Sequence, residues 1–447
     1  MIRCSLLFLF VVGALCLGCA RYIPQPIDPA RTAAAFSGRS LNDAGLRRFL
    51  ATQGASGGRW DVERLALAAA YFHGDVAIAR AESEETAAGI KVAAQSPNPV
   101  LSFAPGYNAT SVGVSPWIIT PTLEIPIETA GKRGKRIAEA RALAEAAMLR
   151  IAAAAWAART KVRAAMLDLY HAQETASFLA AELALHEEIV TKLNAQVQAG
   201  ASSAFELLQE RLGLNRAKLA LHDAQKLAAT SRAQLAAAVG VASAALDGIP
   251  LDFSDFASLP SVPASGLRRR ALTHRADLLA ALADYAAADA DLRLQVAKQY
   301  PDVHLNPGYE LDQTDNKYSL GLTLELPIVN QNRGAIAQAV AHRKTVGMRF
   351  EAKQQAVFGE IESALAAYRA ARAKAATAAT LSSEASRASE TTRRMVEAGE
   401  LIPLELTRRR IEASAANLSR LDARIEAQQA AGALEAAMQI PLRRAAK

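Results

Sequence analysis

From Lys132 to Gln198 the chain has no proline, and its only glycine is Gly134. Small apolar and charged residues alternate there at helical spacing, which predicts one helix of about 67 residues, roughly 100 Å long at 1.5 Å per residue. A second proline-free run extends from Arg333 to Glu397. Each run stops near a glycine, Gly200 or Gly399, as helices often do, and a return helix follows, to about Ala238 and Met438. Helices this long imply a coiled-coil rod or tube rather than a globular domain. Shorter helices are expected from Asp75 to Gln95 and from Asp277 to Gln299, with Asp75 and Asp277 as N-caps and Pro97 and Pro301 as stops.

Between the short and long helices the period changes from helical to two. Leu320, Leu322, Leu324, Leu326 and Ile328 share one face of a predicted strand, and Ser319, Gly321, Thr323 and Glu325 share the other. In the first half Ile119, Leu123, Ile125 and Ile127 oppose Thr120, Thr122 and Glu124. The partner strands carry Leu101, Phe103 and Tyr107, and Val303, Leu305 and Tyr309, on one face. A soluble sandwich alternates too. Aliphatics opposite small polar residues and a carboxylate also fit an outward-apolar, inward-polar membrane barrel. Four strands cannot close a barrel, since the smallest use about eight, so a barrel would combine chains, and three copies would supply about twelve strands.

The chain repeats itself. Leu123–Ile127 recurs as Leu324–Ile328, Pro105–Tyr107 as Pro307–Tyr309, and Arg133–Gly134 as Arg333–Gly334. Val197–Gly200 with Phe205–Leu207 recurs as Val396–Gly399 with Leu404–Leu406, and His73 and Asp75 as His274 and Asp277. This is a tandem duplication. The expected division is a leader, 1–19; an extension, 20–59; a first repeat, 60–246; a Pro-, Ser- and Asp-rich connector, 247–266; a second repeat, 267–441; and a basic tail, 442–447.

Composition agrees with long, close-packed helices. Hydrophobic residues make up 51% of the 447, aromatics only 5%, and Ala dominates the excess. The net charge of +7 is interspersed, which reads as solvated helix surface. Nucleic-acid binding has no aromatic interleaving behind it. All three cysteines, Cys4, Cys16 and Cys19, lie at the N-terminus, so no thiolate site is available elsewhere.

Arg3 and the apolar run Ser5–Leu17 form a secretory leader, too short to span a bilayer comfortably. The run ends in Gly18 and Cys19, which resembles the lipobox of bacterial lipoproteins, with lipidation at Cys19; Cys16 stands where Leu is usual. Ordinary signal cleavage is the alternative. Ala20 after Cys19 resembles the outer-membrane-sorted group.

An exported, duplicated chain with four strands and two giant hairpins resembles the TolC family of outer-membrane efflux channels. The fold implied is mainly α with a small β part. Asn98–Pro99, Glu124–Glu128 and Gly131–Arg133 resemble its CzcC- and CusC-like branch, which exports metal cations. The resemblance implies a homotrimer with a twelve-stranded barrel in outer-membrane lipid and a helical tunnel in the periplasm. It also implies a periplasmic adaptor (membrane fusion protein) at the tip and an inner-membrane, proton-driven RND pump. Neither catalysis nor a cofactor is implied. The alternatives are the same channel exporting organic compounds or serving type I secretion, and a structural coiled-coil lipoprotein that forms no pore.

The resemblance marks a tip at Gly200 with Glu206 and Gly399 with Glu405. Some members carry a further acid three positions on, where this chain has Arg408, so a Glu–Arg lock between helices is expected in place of a double acidic ring. The alternative for both carboxylates is an exposed helix face. The strand–helix junctions, Gly131, Lys132, Arg133 and Gly134 and then Arg333 and Gly334, mark the membrane boundary. Lys132, Arg133, Lys135 and Arg136 oppose a helix dipole and need partners, with Glu128, Glu139 or lipid phosphates as candidates. Glu124, Glu325 and His304 are expected to face the lumen. His304 reads as a weak metal contact or a solvated imidazole. The remaining histidines and the six Met form no ligand cluster, and Gly54–Gly58 lacks the strand and helix of a nucleophile elbow.

Overall fold

The computed structural model describes residues 21–55, 57–110, 115–262 and 265–442. The leader with Cys19 and all but the first residue of the basic tail lie outside these residues. Residues 1–40 and 41–447 form two separate units. Among its described residues the first holds helix α1 (Pro29–Ser37), capped by Asp28 Oδ1, which accepts from the Ala30 and Arg31 amides.

The second unit opens with α2 (Ala44–Thr52) and α3 (Val62–Phe72). Leu46 and Leu50 of α2 are buried with Trp60, Leu65 and Val162, so α2 shares a core with the helices that follow. Next come α4 (Gly74–Ala93), β1 (Val100–Phe103), β2 (Gly106–Tyr107), β3 (Trp117–Ile119) and β4 (Pro121–Ile127). The long hairpin α5 (Lys132–Gln198) and α6 (Ala204–Val239) completes the repeat. The second repeat follows the same order: α7 (Leu267–His274), α8 (Ala276–Ala297), β5 (Val303–Asp312), β6 (Asp315–Leu324), α9 (Arg333–Glu397) and α10 (Pro403–Met438).

The N-caps differ from expectation. Asp75 sits in the first turn of α4, capped by His73, and pairs with Lys161 of α5 at 2.9 Å. Asp277 likewise sits inside α8 and grips Arg275, while the Ala276 amide donates to Gln439 Oε1. Both carboxylates are drawn to a nearby cation, and other side chains serve the helix start.

The six strand segments make one antiparallel sheet. Ile118 pairs with Asp312 and Ile127 with Val303 in one unbroken register, so β3 and β4 are one interrupted strand beside β5. The same holds for β1 and β2 against them. The sheet is therefore four strands wide, with β1–β2 at one edge and β6 at the other. Its last strand stops sooner than the alternation suggests. β6 ends at Leu324, leaving Glu325 past the sheet, and Ile328 donates its amide to Leu326 in a turn around Pro327, which has no N–H to offer a ladder.

The helices form layers of the same kind. α5 packs on α6, α10, α4 and α8, while α9 packs on α10 and α8. Towards the hairpin tips the order is α6–α5–α10–α9, and towards the sheet α4–α5–α8–α9. The connector is more than a loop: Ile249, Leu251, Phe253 and Phe256 pack on the first-repeat core, and the buried Tyr368 hydroxyl donates to Pro260.

Candidate functional site

The sheet has two chemically different faces. Leu320, Leu322 and Tyr318 are exposed at 77%, 67% and 82%. The register places them beside Pro307, Leu305 and Tyr309, with Ile125, Leu123 and Leu101 on the same side. Two aromatic pairs stand on this face near the sheet end away from the helices. Tyr107 meets Trp117 at 5.2 Å between ring centroids, and Tyr309 meets Tyr318 at 5.4 Å. The opposite face carries His304, Asn306, Thr323, Thr122 and Glu124. There the Asn306 amide donates to Thr323 Oγ1 at 2.8 Å, and His304 Nδ1 lies 2.7 Å from Glu124 Oε1. Lys317 bridges Glu310 and Asp312 further along. An apolar, aromatic-ended face backed by a polar one is the pattern of a strand wall between lipid and water.

At the base of the sheet, the basic cluster finds its partners inside the chain. Lys132 is buried and its ammonium donates to Asp302 Oδ1 at 2.8 Å, an oxygen that also accepts from the Thr129 amide. Arg136 forms a two-pronged pair with Glu128. Arg133 donates to the Ala94 carbonyl and Arg136 to that of Gln95, at the C-terminal end of α4, where a helix dipole favours cations. Of the expected partners, Glu128 is used. Glu139 instead faces a cavity of about 350 Å³ between α5, α8 and α9, where burial and the neighbouring Asp291 raise its carboxyl above the ordinary range. The second junction is neutral where the first is charged. Asn332, with φ 57°, donates its side-chain amide to the Gln295 carbonyl of α8, and Arg333 turns to Gln331. Gly131 occupies the left-handed turn before α5, while Gly134 and Gly334 lie within the first turns of α5 and α9.

The hairpin tips bring the remaining predicted residues together. Gly200 and Gly399 have φ of 71° and 77°, a region that favours glycine, and each turns the chain into its return helix. Ser203 caps α6 by accepting from the Glu206 amide. The Glu206 carboxylate accepts from Ser202 at 2.9 Å and from Arg408 of α10 at 2.7 Å, and Arg408 also reaches Glu405 at 3.2 Å. The Ser202 hydroxyl, then Arg408, hold the Glu206 carboxyl below the ordinary carboxylate range. Beneath them Ile189, Leu193, Leu207 and Leu404 form a small core joining the two hairpins.

One further cluster carries no signal in the sequence. Glu435 of α10 is buried and accepts from Arg159 at 3.1 Å, and it lies 3.3 Å from Arg163, both on α5. Arg159 also holds Glu63, and Arg163 donates to the Gln428 carbonyl and side chain. The partners are 276 residues apart for Arg159 and Glu435, so no local signal reveals them. Among the described residues no group of three or more His, Cys, Asp or Glu is arranged to hold a metal, and no helix is long and apolar enough to cross a membrane.

Both repeats match the model of a known family, outer membrane efflux protein, over residues 72–241 and 267–438. The chain is 26% identical over 268 residues to the cobalt-zinc-cadmium resistance protein CzcC of Cupriavidus metallidurans, a match spanning 60% of this chain and 62% of that relative. Its fold is similar to that of CusC, with a TM-score of 0.69 and 17% identity over 84% of this chain and 91% of that one. VceC from Vibrio cholerae gives 0.67 and 18% over 85% and 96%. With its duplicated hairpins, its two-faced sheet and a family model matched across both repeats, the chain belongs to the outer membrane efflux protein family.

Proposed function

We propose that the chain is the outer-membrane duct of a tripartite efflux system, assembled as a ring of three copies and carrying metal cations outwards. One observation carries the assembly: every layer of the second unit is open at both edges, with a first-repeat element at one edge and a second-repeat element at the other. In the sheet these are β1–β2 and β6, and in the helices α6 or α4 and α9. Such unlike edges pair head to tail between copies and close into a ring. Three copies give twelve strands with no free edge, and bare edges are what sheet proteins avoid.

The lower helix edges match one another. Phe205, Leu208, Leu212 and Leu219 of α6 are exposed at the 3–4–7 spacing of a coiled-coil seam. Leu381 and Met395 of α9 are exposed two heptads apart. Measured from the tip, both stripes cover about 21 Å of helix.

The tip is the gate in this reading. Arg408 ties α10 to α6 through Glu206, so three such links would hold the hairpins together around the pore, and the adaptor, fed by the inner-membrane pump, would dock there. Unchanged conductance of the reconstituted Arg408→Ala channel would remove the gate. Cys19 is the site of lipid attachment, which radiolabelled palmitate on the wild type but not on Cys19→Ser would report.

The metal cargo rests on the likeness to a cobalt-zinc-cadmium resistance protein and on the polar face with its imidazole and carboxylates. A growth panel of a deletion strain and its complemented parent tests it. Sensitivity confined to one or two of zinc, cobalt, cadmium, nickel, copper and silver supports cation efflux. Sensitivity only to dyes, detergents and antibiotics keeps the duct and overturns the cargo.

A further inference from the structure

Among the described residues, the polar face of the sheet holds a buried nitrogen that no hydrogen bond satisfies. His304 Nδ1 is shielded from solvent and makes no hydrogen bond, although Glu124 Oε1 lies only 2.7 Å away. The two atoms are close, but not aligned as donor and acceptor. Their side chains are part-exposed, at 34% and 45%, so the pair opens onto the polar side. Neighbouring groups are already engaged: Lys132 and the Thr129 amide hold Asp302, and Asn306 donates to Thr323. Glu310, Asp312 and Lys317 form their own cluster further along the strands.

We propose that His304 and Glu124 together capture a borderline divalent cation such as zinc, cobalt, nickel or cadmium, once per chain. The proposal rests on the reading of this face as the lumen wall. An imidazole nitrogen and a carboxylate oxygen bound to one such ion stand about 3.0 Å apart in octahedral and about 3.4 Å apart in tetrahedral geometry, given bonds of about 2.0–2.2 Å. The observed pair, at 2.7 Å, needs to open by roughly 0.3–0.7 Å. One nitrogen and one oxygen ligand suit borderline ions, whereas Cu(I) prefers thiolates and thioethers. With only two protein ligands, water fills the other positions. Such a site binds weakly and releases quickly, as a conducting path requires. Three copies would place three such stations around the lumen.

The test uses the purified full-length channel in detergent, titrated with zinc chloride and with cobalt chloride at pH 7.5, with magnesium chloride as the hard-ion control. The expected result is one zinc or cobalt per chain, no magnesium, and affinity at least tenfold weaker in both His304→Ala and Glu124→Gln. Heat-labile SDS mobility identifies the folded assembly in each variant, and His304→Gln serves if the alanine variant fails that check. Absence of binding, or binding unchanged in both variants, overturns the site. The growth panel separates this from the cargo reading. Binding lost in the variants alongside sensitivity only to organic compounds keeps the site and overturns the cargo. Metal sensitivity without His304-dependent binding keeps the cargo and overturns the site.

Discussion

The seam between the two repeats and the outer edges of the chain are made of the same kinds of element, but they are finished differently. Along the seam, β4 pairs with β5 and α5 packs on α8 and α10. Ion pairs lock it at three heights: the buried Lys132 with Asp302 beside the sheet, the buried Glu435 with Arg159 and Arg163 in the middle, and the part-exposed Arg408 with Glu206 at the tip. The outer edges carry bare strands and exposed leucines and methionines. The junctions repeat the contrast, charged at Lys132 and Arg136 on the seam and neutral at Asn332 on the edge. The seam shows how a first-repeat edge and a second-repeat edge fit when joined in one chain, and in the proposed ring the edges make the same fit between copies.

Breaking the seam at its middle should have the largest effect. Glu435→Ala leaves two buried guanidiniums without their shared carboxylate, a loss of about 3–5 kcal/mol that a lower thermal midpoint would report. Breaking an edge should spare the chain and cost the assembly. Leu212→Glu in the exposed stripe of α6 should weaken each contact between copies by about 2 kcal/mol, enough to shift heat-labile oligomer to monomer on SDS gels while circular dichroism keeps its helical signal. A stable oligomer carrying Leu212→Glu would place the interface elsewhere.

Lys132→Ala should cost about 1–3 kcal/mol, because Asp302 keeps the Thr129 amide but loses its cation. Thermal melts beside Arg333→Ala, on the neutral junction, sharpen the contrast, and the Arg333 change should be nearly silent. The smallest stability effect belongs to Arg408→Ala, below about 1 kcal/mol for a part-exposed pair, but single-channel recording should show more frequent opening. Acid should act in the same direction. The Glu206 carboxyl sits below its ordinary value of 4.5, so its contribution to the tip is present above 4.5 and lost as pH falls through the lower folded value. Wild-type opening should therefore rise on acidification, and in Arg408→Ala it should change less with pH.

The long helices were legible to the residue, at Lys132–Gln198 and Arg333–Glu397, because absent prolines and terminal glycines leave few alternatives. The alternation gave the two faces of the sheet but not where it stops, since Leu326 and Ile328 continue the pattern after Pro327 has broken the ladder. Asp75 and Asp277 looked like caps because capping chemistry is local, while their partners, Lys161 for one and Arg275 for the other, depend on how the chain packs. For the same reason the family resemblance marked Glu206, Glu405 and Arg408, but the sequence could not place Glu435 between two arginines of the other repeat or His304 against Glu124.

In the proposed ring, unlike edges of separate copies meet and close. Cysteines placed at Phe205 in α6 and Met395 in α9, in a Cys4→Ser, Cys16→Ser background of the full chain, test it under mild oxidation in the outer membrane. The account predicts cross-linked species of two and three chains and nothing larger, with each single-cysteine chain remaining uncross-linked. Chains that stay monomeric, or a ladder continuing past three, would contradict it.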